Sequence, residues 1–279
     1  MTNRIERDMD ELEYHRHPAL SATGMKHLLR SPLHYRQAID HRKEKAAFDV
    51  GHAFHAKVLG VGLDVVEIPE SVLAKNGAIS TTAAKDFIAD ARAAGQVPLK
   101  ADTIAQIDVL AEAVLRNVKA RRLLEIPGET EISLFATDPE TGVEFRGRLD
   151  RLAGLIPIDL KSTNDVRRGN LRRTIENFGY EVQAEAYREL IRLTTGDEPR
   201  PMQLIFAEVD APHEVRVVQL AHEDWIEGGR VKMRAALRTF ARCMETGEWP
   251  GEDDHTDEAE AIEPRPYYRT DIEEIEDAS

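Results

Sequence analysis

Two short strings carry the most chemistry in this chain: Gly147-Arg148-Leu149-Asp150 and Pro157-Ile158-Asp159-Leu160-Lys161. Leu152 to Leu160 is apolar apart from its aspartate, and Gly154 marks a turn between two extended arms, so the strings read as the strands of a hairpin. Strand side chains alternate between faces. Asp159 and Lys161 therefore point the same way, while Leu160 turns to a core and leaves its backbone carbonyl beside them. Asp150 and Asp159 brought together suit a hard divalent cation, which takes oxygen ligands, retains waters and binds through one or two carboxylates plus a substrate phosphate. Lys161 is then a compact charge able to hold an attacking water or to offset charge building on a phosphoryl group. The rival explanation of Asp159 and Lys161 is a strand-surface ion pair. Asp150 weighs against it, because a carboxylate bordering an apolar hairpin is costly to desolvate unless paired or coordinated.

The frame that holds these groups is legible in outline. With 279 residues and 42% hydrophobic content, the chain reads as one globular body with a tail. The single cysteine, Cys243, rules out an internal disulfide and a cysteine-rich zinc module. No apolar run is long enough to span a membrane and the N-terminus lacks an apolar export signal, so a cytoplasmic protein with no membrane partner is expected. Ser21 caps a helix over 24–30, Ser31-Pro32 opens another, and 49–60 reads as a buried helix. A polar, mobile stretch follows at 71–85, then a long helix over 101–124. Strands are expected at 130–137, 143–152 and 156–162, a helix at 179–194, strands at 202–209 and 214–220, and a last helix at 222–246. Asp138-Pro139-Glu140-Thr141-Gly142 is a turn between the first two strands. This order predicts an α/β fold, a mixed central sheet flanked by helices.

A net charge of −14 argues against nucleic acid until its distribution is considered. Residues 251–279 hold twelve acidic side chains against Arg265 and Arg269, which leaves the first 250 residues near −4. That tail is poor in large apolar residues and reads as disordered or loosely docked, a solubilising or partner-binding arm. In the body, Arg116, Lys119, Arg121 and Arg122 share one helical stretch, and Arg167, Arg168, Arg172 and Arg173 follow the Asp159–Lys161 strand. Such local stripes track a phosphate backbone on an otherwise acidic surface; solvated helix faces are the plain alternative.

Four more residues fit a metal site. His55, in Gly51-His52-Ala53-Phe54-His55, lies in a helix of small and apolar residues and can face inward as a ligand or as a hydrogen-bonded core histidine. Glu131 opens the strand Glu131-Ile132-Ser133-Leu134 and can reach the water shell of a cation or face solvent. Gln183 and Tyr187, four apart, share a helix face; Gln183 can bond a carboxylate or a substrate oxygen, and Tyr187 can contact a phosphate or fix the lysine.

As an ordered set, G-x-x-x-H, then E, G-R-x-D, D-x-K and Q-x-x-x-Y resembles the PD-(D/E)XK nuclease superfamily in its RecB-like branch. Several flanks narrow this: Leu20-Ser21-Ala22-Thr23-Gly24-Met25-Lys26, Ser31-Pro32-Leu33-His34-Tyr35, Asp138-Pro139-Glu140-Thr141-Gly142, Tyr180-Glu181-Val182-Gln183, Phe206-Ala207-Glu208-Val209 and Glu248-Trp249-Pro250 are similar to the nuclease domain of RecE-type exodeoxyribonuclease VIII. The resemblance covers about residues 18–250, between an N-terminal extension at 1–17 and the acidic tail at 251–279. It implies a restriction-endonuclease-like core. It also implies that His55, Asp150, Asp159 and the Leu160 carbonyl are metal ligands, that Lys161 is the catalytic lysine, and that Gln183, Tyr187 and, at an acidic strand position, Glu131 act beside them.

The activity implied is Mg²⁺-dependent (or Mn²⁺-dependent) digestion of linear double-stranded DNA from its 5′ ends, leaving 3′ single strands for a RecT-like annealing protein. The partners implied are DNA ends and further copies in a homo-oligomeric ring, with a phage or prophage origin in a bacterial host. One departure stands out. Related lambda-type exonucleases place an arginine where this chain has Gly24, which leaves Arg30 and Arg36 as the candidates for holding a 5′-phosphate. The competing functions are a RecB-like nuclease acting on single-stranded or flap DNA within a larger complex, a non-catalytic DNA-end-binding recombination partner, and a metal phosphatase for small phosphoesters.

Overall fold

A computed structural model of the chain describes residues 3–41, 46–62, 64–252, 259, 261–264 and 267–277. In chain order its elements are β1 (Arg4–Glu6), α1 (Glu11–Arg16), β2 (Leu20–Ser21), α2 (Ala22–Arg30), α3 (Pro32–Asp40), α4 (Ala46–Leu59), β3 (Val65–Glu67), a 3-10 turn (Glu70–Val72), α5 (Thr82–Ala93), β4 (Val97–Leu99), α6 (Ala101–Arg116), α7 (Val118–Leu124), β5 (Gly128–Thr137), β6 (Glu144–Ala153), β7 (Ile156–Thr163), α8 (Arg168–Phe178), α9 (Tyr180–Thr195), β8 (Gln203–Glu208), β9 (Val215–Gln219), α10 (Glu223–Thr246) and α11 (Tyr268–Asp277).

Among the described residues, seven strands form a mixed sheet in the order β1-β5-β6-β7-β8-β9, with β2 pairing in parallel beside β6. The hairpins β5–β6, β6–β7 and β8–β9 are antiparallel. β7 and β8 are parallel, joined by the α8–α9 crossover, so Asp159 stands opposite Leu204 and Lys161 opposite Phe206. One core lies between the sheet and α2, α9 and α10, built on Met25, Leu149, Leu190, Leu204, Phe206 and Leu237. A second lies on the α4–α6 side, built on Phe54, Leu110, Val114, Ile158, Leu160 and Ile205. Leu160 is thus buried toward α4 and α6, as the strand alternation requires.

Local chemistry sets most boundaries. Ser21 Oγ caps α2 through the Gly24 N–H (3.1 Å), and Ser31 Oγ caps α3, with Pro32 in its first turn. The expected helix over 101–124 is two helices. Asn117 ends α6, and its side chain accepts from the N–H groups of Lys119 and Ala120 to start α7. The stretch near 71–85 contains the start of α5, capped by Thr81 (3.0 Å to the Ala84 N–H). The arginine-rich segment after β7 forms α8, which buries only Leu171 and Ile175 and so shows little apolar periodicity.

Residues expected as an N-terminal extension pack on the sheet. β1 pairs with β5, and Met9, Tyr14 and Ala19 close a small core over Phe135. The buried Arg146 guanidinium donates to the carbonyls of Ala19 (3.0 Å), His15 (3.3 Å) and Tyr14. A three-residue strand and a six-residue helix are too short to show periodicity, and this anchor comes from β6, far along the chain. In the acidic tail, α11 is helical, and its described residues are exposed.

Candidate active site

The site lies where the sheet comes apart. β6 and β7 pair over Arg151–Ala153 and Ile156–Ile158, and the pairing stops where Asp150 and Asp159 would face each other. In the gap, the Leu160 N–H donates to Asp150 Oδ2 at 2.7 Å. Leu149 and Leu152, three apart, enter the same core, so the pleat slips by one residue between them. Across from the slip, Glu131 has φ +52, a left-handed backbone that costs a non-glycine residue about 1–2 kcal/mol. The distortion lets an acidic side chain from each strand converge without being stacked in a regular ladder, where like charges repel.

His55 arrives from α4. Its Nε2–H donates to the Leu160 carbonyl at 3.1 Å, and its Nδ1 is 3.4 Å from Asp150 Oδ2. His52, one turn earlier, meets Glu11 of α1 at 2.8 Å and ties α4 to the N-terminal segment. One donor atom each from His55, Glu131 and Asp150 lies within 4.8 Å of the others. Arg148 Nε holds Glu131 at 2.9 Å while its Nη1 donates to the Met9 carbonyl at 3.0 Å.

Asp159 is buried and turned to the α9 side. Gln183 Nε2 donates to its Oδ1 at 2.8 Å and to Tyr187 Oη at 3.1 Å; Tyr187 Oη in turn donates to the Arg148 carbonyl at 2.7 Å. This chain of bonds locks α9 to β6 and β7. The buried Asp159 Oδ2 is held by the Lys161 ammonium, its ion-pair and hydrogen-bond partner.

The electrostatics are those of a crowded acidic cluster. Burial and repulsion from Asp150 push the Asp159 carboxyl up, and burial with the same repulsion raises Glu131. Burial opposes ionisation of Asp150 too, but the charges of His55 and Lys161 outweigh it and hold that carboxyl low. Burial disfavours the His55 cation, yet Asp150 prevails and pushes the imidazole up to about 9. Lys161 is likewise raised by Asp159 and Asp150 against its burial, so it stays protonated. Carboxylates of Glu131 and Asp150, the His55 imidazole and the Leu160 carbonyl around one gap, with the Asp159 carboxylate beside them, make a donor set that fits a hard divalent cation.

Some expected roles change. Among the described residues Tyr187 makes no hydrogen bond to Lys161. It is buried, with its hydroxyl committed to Arg148 and Gln183, because Gly147 lets its ring lie flat on β6. Asp150 converges with His55 and Glu131, while Asp159 is turned to Lys161. The Leu160 carbonyl is at the site and accepts from His55. Gly24 faces the core, where a Cβ would meet Leu20 Cδ1 at 2.9 Å, so that position does not open on the site.

Arg36 is held by Asp40 at 3.4 Å and lies over Trp249, and Arg30 is exposed at the end of α2. The cation that α2 does deliver is Lys26, a single lysine that no spacing rule marks out. Its Nζ is 5.6 Å from the Tyr180 ring centroid, and Lys161 Nζ is 4.8 Å from the same centroid. Burial and the Lys161 charge bring Lys26 down to about 8. Of the α8 cluster, Arg167 is clamped by Asp165 at 2.6 Å, whereas exposed Arg168, Arg172 and Arg173 form no ion pair among the described residues. Arg121 is paired with Glu125 at 3.6 Å.

Among the described residues no helix is long and apolar enough to cross a membrane. None of the curated proteins matches the sequence. Among solved structures, a candidate exonuclease from Eubacterium rectale superposes with a TM-score of 0.62 at 12% identity, over 96% of this chain and 98% of its own; it shares the fold. SSO0001 aligns at a TM-score of only 0.29 and 11% identity, over 72% of this chain and 87% of its own, too distant to support any argument. Residues 21–262 match the model of a family described as a PDDEXK-like domain of unknown function. With the mixed sheet, the split at Asp150 and Asp159, and Lys161 beside it, this chain belongs to that PDDEXK-like family, DUF3799.

Proposed function

We propose that the protein is a metal-dependent deoxyribonuclease that resects linear duplex DNA from its ends, 5′ to 3′, leaving 3′ single strands for an annealing protein. The observation that carries the reading is the convergence of His55, Glu131 and Asp150 beside an Asp159–Lys161 pair at the gap in the sheet. His55, Glu131 and Asp150, with Asp159 and the Leu160 carbonyl, would hold Mg²⁺ or Mn²⁺. When bound, such a cation supplies Lewis-acid polarisation of a phosphoryl oxygen and lowers the pKa of water. Lys161, kept protonated by Asp159, orients the attacking water and offsets charge on the phosphoryl oxygens. Gln183 fixes the Asp159 carboxylate, and Tyr187 fixes Gln183 to the β6 backbone, so the lysine's partner does not wander. Arg168, Arg172 and Arg173 supply affinity for the backbone independent of sequence.

The test is digestion of a linear duplex labelled at either the 5′ or the 3′ end, with Mg²⁺, by the parent, Lys161→Ala and Asp159→Ala. Stepwise release of nucleotides from the 5′ end by the parent alone is expected. Parent-rate resection by both variants refutes the assignment of the site. Preference for single-stranded or flap DNA moves the substrate to the RecB-like alternative, and tight binding without product moves the protein to a non-catalytic role.

A further inference from the structure

Three aromatic rings, each in contact with the next, lead from the core to the surface beside Lys161. Phe206 of β8 is fully buried; Tyr180, the first residue of α9, tilts against it at 6.1 Å between centroids. Phe178, the last residue of α8, stacks on Tyr180 at 5.7 Å with the planes 16° apart, and is 60% exposed. Gly179 between the two has φ +60, and this left-handed link turns α8 into α9 so that the flanking rings come parallel. A Cβ on Gly179 would stand 2.8 Å from Lys26 Cδ, so the aliphatic stem of Lys26 crosses the junction.

A lone exposed phenylalanine is ordinary on a protein surface. This one continues a stack whose middle ring lies 4.8 Å from Lys161 Nζ and 5.6 Å from Lys26 Nζ. Lys161 has Asp159; Lys26 has no carboxylate partner among the described residues. A cation left half-buried near another cation is poised for an anion, and an aromatic face next to it is poised for a flat, polarisable group. Phosphate and base together are a nucleotide, and Arg168, Arg172 and Arg173, exposed on α8 and without an ion pair among the described residues, add positive charge to the helix that ends in Phe178.

We propose that Phe178 is a nucleobase-stacking residue: Phe178 receives on its free face the base of an unpaired nucleotide whose phosphate lies against Lys26 and Lys161, with Tyr180 backing the ring. The inference rests on the nuclease reading for the identity of the polymer. It adds a subsite for a base released from the duplex, placed one residue before α9, the helix that carries Gln183 and Tyr187.

The test uses the full-length protein with Ca²⁺ in place of Mg²⁺, gels confirming that the probes stay intact, and fluorescence anisotropy with two 3′-labelled, 5′-phosphorylated single-stranded hexamers. One hexamer carries bases throughout; the other has the same backbone with abasic sites. Stacking on one aromatic ring corresponds to a preference of about five- to a hundredfold for the base-bearing probe. The parent and Phe178→Trp are expected to show that preference, and Phe178→Ala and Phe178→Leu to lose it. Lys26→Gln should weaken both probes together and leave the ratio standing. Because the side chain is largely exposed, the variants should fold, and matching far-ultraviolet circular dichroism verifies this.

A full preference in Phe178→Ala, or in Phe178→Leu (which keeps apolar bulk without a π face), overturns the proposal. A parent that resects duplex DNA yet binds both hexamers equally sinks the stacking site and leaves the nuclease intact. A parent that shows the preference but never cuts does the reverse.

Discussion

Gly147→Ala is the perturbation whose consequence follows most directly from the geometry. A Cβ at this position would lie 2.6 and 2.7 Å from Tyr187 Cε1 and Cδ1 and 2.8 Å from Leu190 Cδ1, all closer than real Cβ contacts. The ring cannot swing aside freely, because its hydroxyl donates to the Arg148 carbonyl at 2.7 Å and accepts from Gln183. Either α9 lifts off β6, or the ring moves and those bonds break. Overpacking of this kind costs about 1–3 kcal/mol, and losing a buried hydrogen bond adds about 0.5–1.5 kcal/mol. The expected loss is therefore about 2–4 kcal/mol, a large share of the roughly 5–15 kcal/mol by which domains are stable. In urea unfolding this appears as a midpoint lowered by about 1 M with an unchanged slope. Nuclease activity should fall by about ten- to a hundredfold even where the variant is folded, because Gln183 positions Asp159 and small misplacements at a site are expensive. Pairing Gly147→Ala with Tyr187→Leu, which removes the ring edge, should recover about 1–2 kcal/mol relative to the sum of the single changes. A Gly147→Ala variant within about 0.5 kcal/mol of the parent, or strict additivity in the cycle, would refute the claim that this close approach holds the site together.

Other outcomes follow from the same geometry. Mg²⁺ at a hundred times its Kd should stabilise the parent by about 2.7 kcal/mol, read as a rise in Tm that a chelator reverses and that Asp150→Asn abolishes; an undiminished rise in that variant removes Asp150 from the metal site. Lys26 is held near 8 by burial and by Lys161, against the pull of Asp159 and Glu181, whereas in the unfolded chain it titrates near 10.5. Between those values the unfolded state binds more protons, so stability rises with pH, and the penalty is complete below about 8. Lys26→Met should accordingly be more stable than the parent by roughly 1–3 kcal/mol at pH 7, with the gap closing toward pH 10; a gap independent of pH rejects the assignment. Replacing Arg168, Arg172 and Arg173 together with alanine should weaken duplex binding and cut the slope of log Kobs against log salt by about 2.7, measured by anisotropy across a salt series, whereas an unchanged slope takes α8 off the DNA.

Much of the frame was readable because it is set by local rules. Period-two alternation over Ile158-Asp159-Leu160-Lys161 decides that Leu160 is buried and that Asp159 and Lys161 share the opposite face, and in the fold that face meets α9. Four-residue spacing puts Gln183 and Tyr187 on one face of α9, and hydroxyl caps at Ser21 and Ser31 start α2 and α3. Local patterns are silent where an element is short and misleading where it buries little. β1 and α1 are too brief to show a period, and α8 buries two residues of eleven. The expected single helix over 101–124 missed a break made by one asparagine side chain, which also donates to the Val215 carbonyl at 3.0 Å from across the sheet.

The sequence by itself determined which residues can do chemistry at the hairpin and which faces they share, since a strand or helix fixes side-chain direction within a few residues. Only the tertiary structure decided who meets whom. The left-handed backbone at Glu131 and the slipped pleat beside Asp150 sit where one sheet serves two cores on its opposite faces. Lys26 reaches the neighbourhood of Lys161 because α2 lies across the α8–α9 junction. Contacts between distant segments depend on how whole elements pack, and no short window of residues contains that information.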